Sequence, residues 1–221
     1  MSKVSGITNT RAIKALVFDM DGTLCIPQPW MFPAMRKAIG LEDKSIDILK
    51  FIDDLPTEEQ KEKAHAGIHK VEEDAMKEME PQPGLSTLME YLTSHGYPKS
   101  ICTRNVITPV NYLVSKFIPA NCRNFDHIVT RDFRPTKPNP DPLLHIAKQS
   151  LLSPSQLIMV GDSMDDMRSG RTAGCVTVLL KNHVNGHILQ DHKEFVDYPI
   201  DSLLEIIDIL KKLNMESEEV N

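Results

Sequence analysis

The 221-residue sequence predicts an α/β fold with a mainly parallel sheet, and three observations predict it. Short, almost wholly apolar runs rich in Val, Ile and Leu recur along the chain, as expected of strands buried on both faces. Segments with helix-start and helix-stop signals lie between most of them. The two kinds alternate, which is the order in which strands and crossover helices build a parallel sheet.

The strand-like runs are residues 13–18, 99–103, 127–130, 157–161 and 175–180. Residues 85–95 read as a helix closed by Gly96. Thr108-Pro109, Asp141-Pro142 and Ser153-Pro154 each read as an N-cap followed by proline at the first helical position. Between 27 and 79 there is no strand pattern. A charge-rich helical stretch fills 57–79 instead, opening on Thr57-Glu58-Glu59-Gln60, the pattern of a capping box. Prolines 27, 29, 81 and 83 flank it. The expectation is a core of residues 1–26 and 80–214, with a small helical insert at 27–79 after the first strand. Two hinged linkers would let the insert act as a lid. A long irregular connection is the alternative, although such loops are uncommon in compact domains. The acidic stretch 215–221 reads as a disordered tail.

Hydrophobic residues make up 41% of the chain, enough to bury a core. The formal net charge of −6 argues against a broad nucleic-acid footprint. Cys25, Cys102, Cys122 and Cys175 are scattered singly, without a zinc-like pair or a disulfide spacing. Residues 1–11 lack the apolar stretch of a signal peptide, and no run reaches transmembrane length. The expectation is a soluble, monomeric, cytoplasmic protein, with the nucleus left open, that meets neither nucleic acid nor membrane.

Chemistry concentrates at four places. In Val17-Phe18-Asp19-Met20-Asp21-Gly22-Thr23 an apolar strand ends in two carboxylates one residue apart, then a glycine able to turn the chain away. Ligands in open parallel sheets sit at the carboxyl ends of strands, and two acids there need a cation or a proton. The plain alternative is an Asp/Gly turn. In Val160-Gly161-Asp162-Ser163-Met164-Asp165-Asp166 a second strand ends in Asp, and a helix begins at once. Asp162 and Asp166, four apart, would share a side if helical geometry starts there, while Asp165 would face elsewhere. These acids are either dipole caps or, with the first pair, a hard-cation site suited to magnesium. Thr103-Arg104-Asn105 ends a strand with donors that suit phosphate oxygens, or forms an ordinary loop. Lys137 stands in a proline-rich loop, aimed at an anion or merely solvated.

In this order, Asp19-Met20-Asp21-Gly22-Thr23, Thr103, Lys137 and Gly161-Asp162-Ser163-Met164-Asp165-Asp166 resemble the motifs of the haloacid dehalogenase-like superfamily, in its phosphatase branch. The stretches 27–33 and 180–187 resemble an uncharacterised fungal member. The resemblance implies a Rossmann-like sheet with a helical cap after the first motif. It implies that Asp19 is the nucleophile forming an aspartyl-phosphate and that Asp21 is the general acid and base. Thr103 and Lys137 would hold the phosphoryl group; Arg104, from the reading of the strand-end donors, is expected to bind phosphate beside them. Magnesium would be held by Asp19, Asp162 and the Asp21 carbonyl, with Asp166 acting through water. The implied reaction is hydrolysis of a small phosphorylated metabolite. A phosphomutase or phosphotransferase, or a regulatory module without catalysis, are the alternatives. A dehalogenase fits poorly, because its halide needs no acid such as Asp21 and no magnesium. Trp30, Arg36 and Lys37 could meet substrate or serve only structure.

Overall fold

The computed structural model describes residues 12–218. The segment 1–11, read above for a leader, and residues 219–221 of the expected tail lie outside the described residues. Among the described residues, six parallel strands form one sheet. They are β1 (Ala15–Phe18), β2 (Lys99–Cys102), β3 (Ile128–Val129), β4 (Leu157–Gly161), β5 (Val176–Leu180) and β6 (Tyr198–Ile200). The spatial order is β3-β2-β1-β4-β5-β6, that of doubly wound, Rossmann-like sheets. The chain runs outward one way from β1 to β3 and the other way from β4 to β6. The connections that leave the central neighbours β1 and β4 therefore diverge at the carboxyl ends of these strands, where a crevice opens.

Helices cover both faces of the sheet. α4 (Leu85–Ser94), α5 (Ile107–Phe117) and α9 (Glu205–Glu218) contribute to the same apolar cluster as Leu16 and Phe18 of β1. The alternate residues Ala15 and Val17 join Leu143 and Ile146 of α6 (Asp141–Gln149) and Ala173 of α7 (Met164–Ala173) on the other face. Side chains that alternate across a strand buried on both sides explain why the strand sequences are continuous apolar runs. Phe18 is fully buried, and truncating such a side chain costs about 3–5 kcal/mol. A short helix, α8 (His187–Asp191), follows β5.

Three helices, α1 (Met31–Ile39), α2 (Ile48–Asp53) and α3 (Glu58–Lys77), stand between β1 and α4. They pack around a separate cluster that includes Met31, Met35, Ile48, Ile52 and Ile68. The capping residue Thr57 accepts from the Gln60 amide at 3.2 Å, while its hydroxyl points at Gln60 Oε1, which completes only half of the expected box. Entry and exit of this insert lie side by side. Cys25 and Pro81 form an antiparallel bridge, Ile26 N donates to Glu80 O at 2.9 Å, and Gln82 N donates to Leu24 O at 3.0 Å.

Several local expectations are corrected. α5 starts at Ile107 and α6 at Asp141, so Pro109 and Pro142 are not the first helical residues. Any amide in the first turn lacks an intrahelical acceptor, so proline marks that turn without fixing its first residue. Ser153-Pro154 opens only a 3-10 turn, Pro154–Gln156, that runs straight into β4. α9 continues through Glu218, so the first four residues of the expected tail are helical.

Candidate active site

Asp19 follows β1 directly, and its amide donates to Val160 O of β4 at 2.9 Å, which ties it to the crevice. Asp162 follows β4. Asp166 lies in the first turn of α7, where Ser163 is the N-cap. Carboxylate oxygens of Asp19, Asp162 and Asp166 all lie within 4.8 Å of one another. Two glycines permit this crowding. Gly22, at φ +83°, would drive a Cβ into the Asp162 carboxylate, and a Cβ at Gly161 would overlap the Asp166 side chain.

The three acids differ in what they have left to offer. Asp166 is fully buried with both oxygens engaged. Its Oδ2 accepts from Ser163 N at 3.0 Å and Ser163 Oγ at 2.6 Å, and its Oδ1 accepts from Lys137 Nζ at 2.6 Å. The plain reading of Asp166 as a helix cap is thus correct, and it does not exclude a role beside a cation. Asp19 gives Oδ1 to Lys137 at 2.7 Å, and its Oδ2 has no hydrogen bond among the described residues. Asp162 Oδ2 accepts from Asn182 Nδ2 at 2.8 Å, leaving Oδ1 without a hydrogen bond among the described residues. Asn185 Nδ2 donates to the Asp162 carbonyl at 2.8 Å, so the loop after β5 holds this acid in place.

Electrostatics follow from the crowding. Burial first, then the charges of Asp166 and Asp21, push Asp19 up to about 7 although Lys137 opposes them. Burial, Asp166 and Asp19 push Asp162 up to about 8. Burial also raises Asp21, Glu72 adds to the rise, and a 3.0 Å hydrogen bond from Asn105 Nδ2 works against it. Burial would lower Lys137, but Asp166 and Asp19 hold it above the ordinary lysine value. Hard oxygen donors this close, and this reluctant to ionise, fit a small divalent cation.

A cavity of about 520 Å³ lies over these groups. Its floor holds Asp19, Asp21, Thr103, Lys137 and Asp162, and its far wall is the apolar side of the insert. A larger, more open groove of about 860 Å³ runs along α3 past His65, His69 and Arg134, but none of these carboxylates lines it. Thr103 is 4% exposed, and its Oγ1 accepts from Asn105 N at 3.1 Å. Arg104 lines the cavity while its guanidinium bridges Asp47, the N-cap of α2, and Asp165 of α7. Asp165, expected to face elsewhere, therefore belongs to the rim. Arg36 is drawn into the insert by bonds to backbone carbonyls. Trp30, at the entry to α1, is 38% exposed. His183, His187 and His192 do not join the acid cluster.

Sequence reasoning missed Glu72, Arg131, Asn182 and Asn185. Glu72 and Arg131 form a buried ion pair between α3 and the loop after β3. One signal was legible. The buried residues of α3 are Ala64, Ile68, Glu72 and Ala75, so a carboxylate occupies a core position of the helical stripe. No spacing rule reveals its partner 59 residues away.

Comparison with known proteins gives a consistent result. The family model of haloacid dehalogenase-like hydrolases matches residues 13–174. An uncharacterised hydrolase of Saccharomyces cerevisiae is 64% identical over 217 residues, covering 98% of this chain and 100% of its own. A haloacid dehalogenase-like hydrolase domain-containing protein of Arabidopsis thaliana is 35% identical over 191 residues, covering 81% and 75%. Among solved structures, a predicted phosphoglycolate phosphatase from Haemophilus somnus superposes with a TM-score of 0.70 at 21% identity, covering 92% and 99%, a likeness of fold.

Proposed function

The chain belongs to the haloacid dehalogenase-like hydrolase family, and from that premise we propose that it is a magnesium-dependent phosphatase acting through an aspartyl-phosphate on Asp19. One observation carries the assignment. Asp19 keeps one carboxylate oxygen free at the cavity floor while Lys137 holds the other, whereas both oxygens of Asp166 are engaged.

A cation at Asp19, Asp162 and the Asp21 carbonyl, with Asp166 in the outer shell, would neutralise phosphoryl charge and keep Asp19 ionised. The chain's own groups do the rest. Lys137 and Thr103 hold the phosphoryl oxygens. The free oxygen of Asp19 attacks phosphorus, and the ester oxygen departs with the proton of Asp21. Asp21 then takes a proton from water as that water attacks the same phosphorus. Phosphate leaves and Asp19 is regenerated. The raised pKa of Asp21 suits its first task, and the Asn105 bond to its ionised form suits the second. The insert would exclude bulk water until the intermediate has formed, with Arg104 latching α2 to α7. Four free, buried cysteines support a reducing compartment. Among the described residues, no helix is long and apolar enough to cross a membrane.

The test is phosphate release from p-nitrophenyl phosphate with magnesium and with EDTA, followed by rapid quench and mass spectrometry of the Asp19 peptide. Phosphate release that survives EDTA, or a phosphate found on another residue, would overturn the reading. Release into water, without transfer to an added sugar phosphate, separates hydrolysis from mutase chemistry.

A further inference from the structure

The walls of the cavity bear on what the ester carries besides phosphate, an inference that rests on the phosphatase reading. Asp21 marks where the leaving group begins, because its proton must reach the departing oxygen. Asn105, which donates to Asp21, also accepts from Arg131 N at 3.1 Å. Glu72, Arg131 and Asp21 line the same cavity, and the Glu72 charge is felt at Asp21.

Among the described residues, every cation lining the cavity already has a partner. Arg36 donates to the carbonyls of Asp43, Lys44 and Ile46 at 2.8, 3.2 and 2.8 Å. Arg104 bridges Asp47 and Asp165. Arg131 engages both oxygens of Glu72, and Lys137 bonds Asp19 and Asp166. Seven carboxylates line the cavity against four cationic side chains. The insert adds the apolar Met31, Met35, Ile48, Leu49 and Ile68, and its two donors there, Arg36 and Gln28, are turned to backbone carbonyls, Gln28 Nε2 to Ala75 O at 3.1 Å. A carboxylate or second phosphate pressed against it would lose its water, gain no cation and meet the Glu72 and Asp47 charges.

We propose that the preferred substrate is a phosphate monoester whose leaving alcohol is uncharged and turns an apolar face to the insert, and that the buried Glu72–Arg131 pair is the specificity-determining element against anionic leaving groups. The volume of about 520 Å³ limits this to a small molecule.

The experiment uses the full chain with magnesium and measures kcat/KM for esters matched in size, with p-nitrophenyl phosphate as reference. Glycerol 3-phosphate is set against 3-phosphoglycerate, and phenyl phosphate against 4-carboxyphenyl phosphate. In both pairs the neutral ester should be preferred at least tenfold, and n-butyl phosphate, which like glycerol 3-phosphate leaves as an alkoxide, should exceed glycerol 3-phosphate. Glu72→Gln leaves Arg131 unopposed and should narrow the neutral-to-anionic ratio at least threefold. Arg131→Gln bares Glu72 and should widen it. A purely structural pair would move both ratios in the same direction, and that result overturns the role of the pair. Should either variant fail to fold, the wild-type ratios still decide. Preference for the anionic ester in either pair overturns the inference while the phosphatase reading stands. Failure to hydrolyse any ester, the activated one included, overturns both.

Discussion

Replacing Asp19 by Asn should stabilise the metal-free protein while it abolishes turnover. Asp19 is raised from 3.8 to about 7, about three units, and each unit is worth about 1.4 kcal/mol. Ionising it in the folded state without a cation therefore costs about 4 kcal/mol relative to the unfolded chain. Asn copies the shape and neutrality of the protonated acid and escapes this cost. The same substitution relieves Asp162, whose rise the Asp19 charge feeds, so stabilisation on the order of a few kcal/mol is expected. The sign follows from proton counting. Between pH 3.8 and about 7 the folded state keeps a proton that the unfolded state has released, so wild-type stability falls as pH rises through that window. The advantage of Asp19→Asn should thus be small near pH 4, grow to about pH 7, then level off. In a domain of this size each kcal/mol of it raises Tm by about 2–4 °C. Added magnesium should close the gap, because the wild-type site then holds a counter-charge and the variant binds it less well. Scanning calorimetry in EDTA from pH 5 to 8, repeated with magnesium, measures each part. A variant that melts no higher than wild type at pH 8 in EDTA refutes the electrostatic argument. Retention of a tenth of wild-type activity refutes Asp19 as nucleophile.

Asp162→Ala should weaken magnesium affinity more than Asp166→Ala, since Asp162 keeps a free oxygen and Asp166 does not; isothermal titration giving the reverse order would overturn those roles. Asp166→Ala should instead lower Tm by the larger amount, because it removes a helix cap and strips a partner from buried Lys137. Asp21→Asn should slow the first step far more for an alkyl phosphate than for p-nitrophenyl phosphate, whose leaving group departs without a proton; equal slowing in pre-steady-state kinetics would rule out the acid role. Asn105→Ala removes the donor that favours ionised Asp21, so the alkaline limb of the kcat/KM profile should move to higher pH, and a downward shift would contradict the hydrogen bond seen at 3.0 Å.

The α/β order was legible because a strand covered on both faces has no polar side to interrupt it, as in Leu157–Gly161. β6 was not, since Tyr198-Pro199-Ile200 is three residues long with proline in the middle. It survives at the sheet edge, where it pairs only with β5 and the missing amide can face away from the ladder. α9 was placed in the core without being singled out as a helix, although Ile206, Leu210 and Leu213 lie on one helical stripe; only its last turn was misread, because the acidic residues from 215 onward resemble a tail. At the site, the acids that follow strands could be read because strand ends converge by rule. Glu72, Arg131, Asn182 and Asn185 could not, because their partners are chosen by tertiary packing and leave no mark in local spacing. Arg104 shows the same limit. It lines the cavity as its phosphate-suited donors led one to expect, but its pairing with Asp47 and Asp165 could not be read from local spacing.

The bridge between Cys25 and Pro81 makes the helical insert a plug-in part. The chain leaves the sheet and returns to it through neighbouring backbone segments, a gap of about 5 Å as between paired strands. Any folded unit whose two ends lie that close can be spliced in without moving Asp19, Asp162 or Lys137. Excision is equally simple on paper, with a short turn across the gap restoring a continuous chain. A lineage could thus change what it recognises by exchanging one cassette while the reacting groups stay where the sheet puts them. For the protein engineer, the junctions at residues 26 and 80 are the natural crossover points for chimaeras.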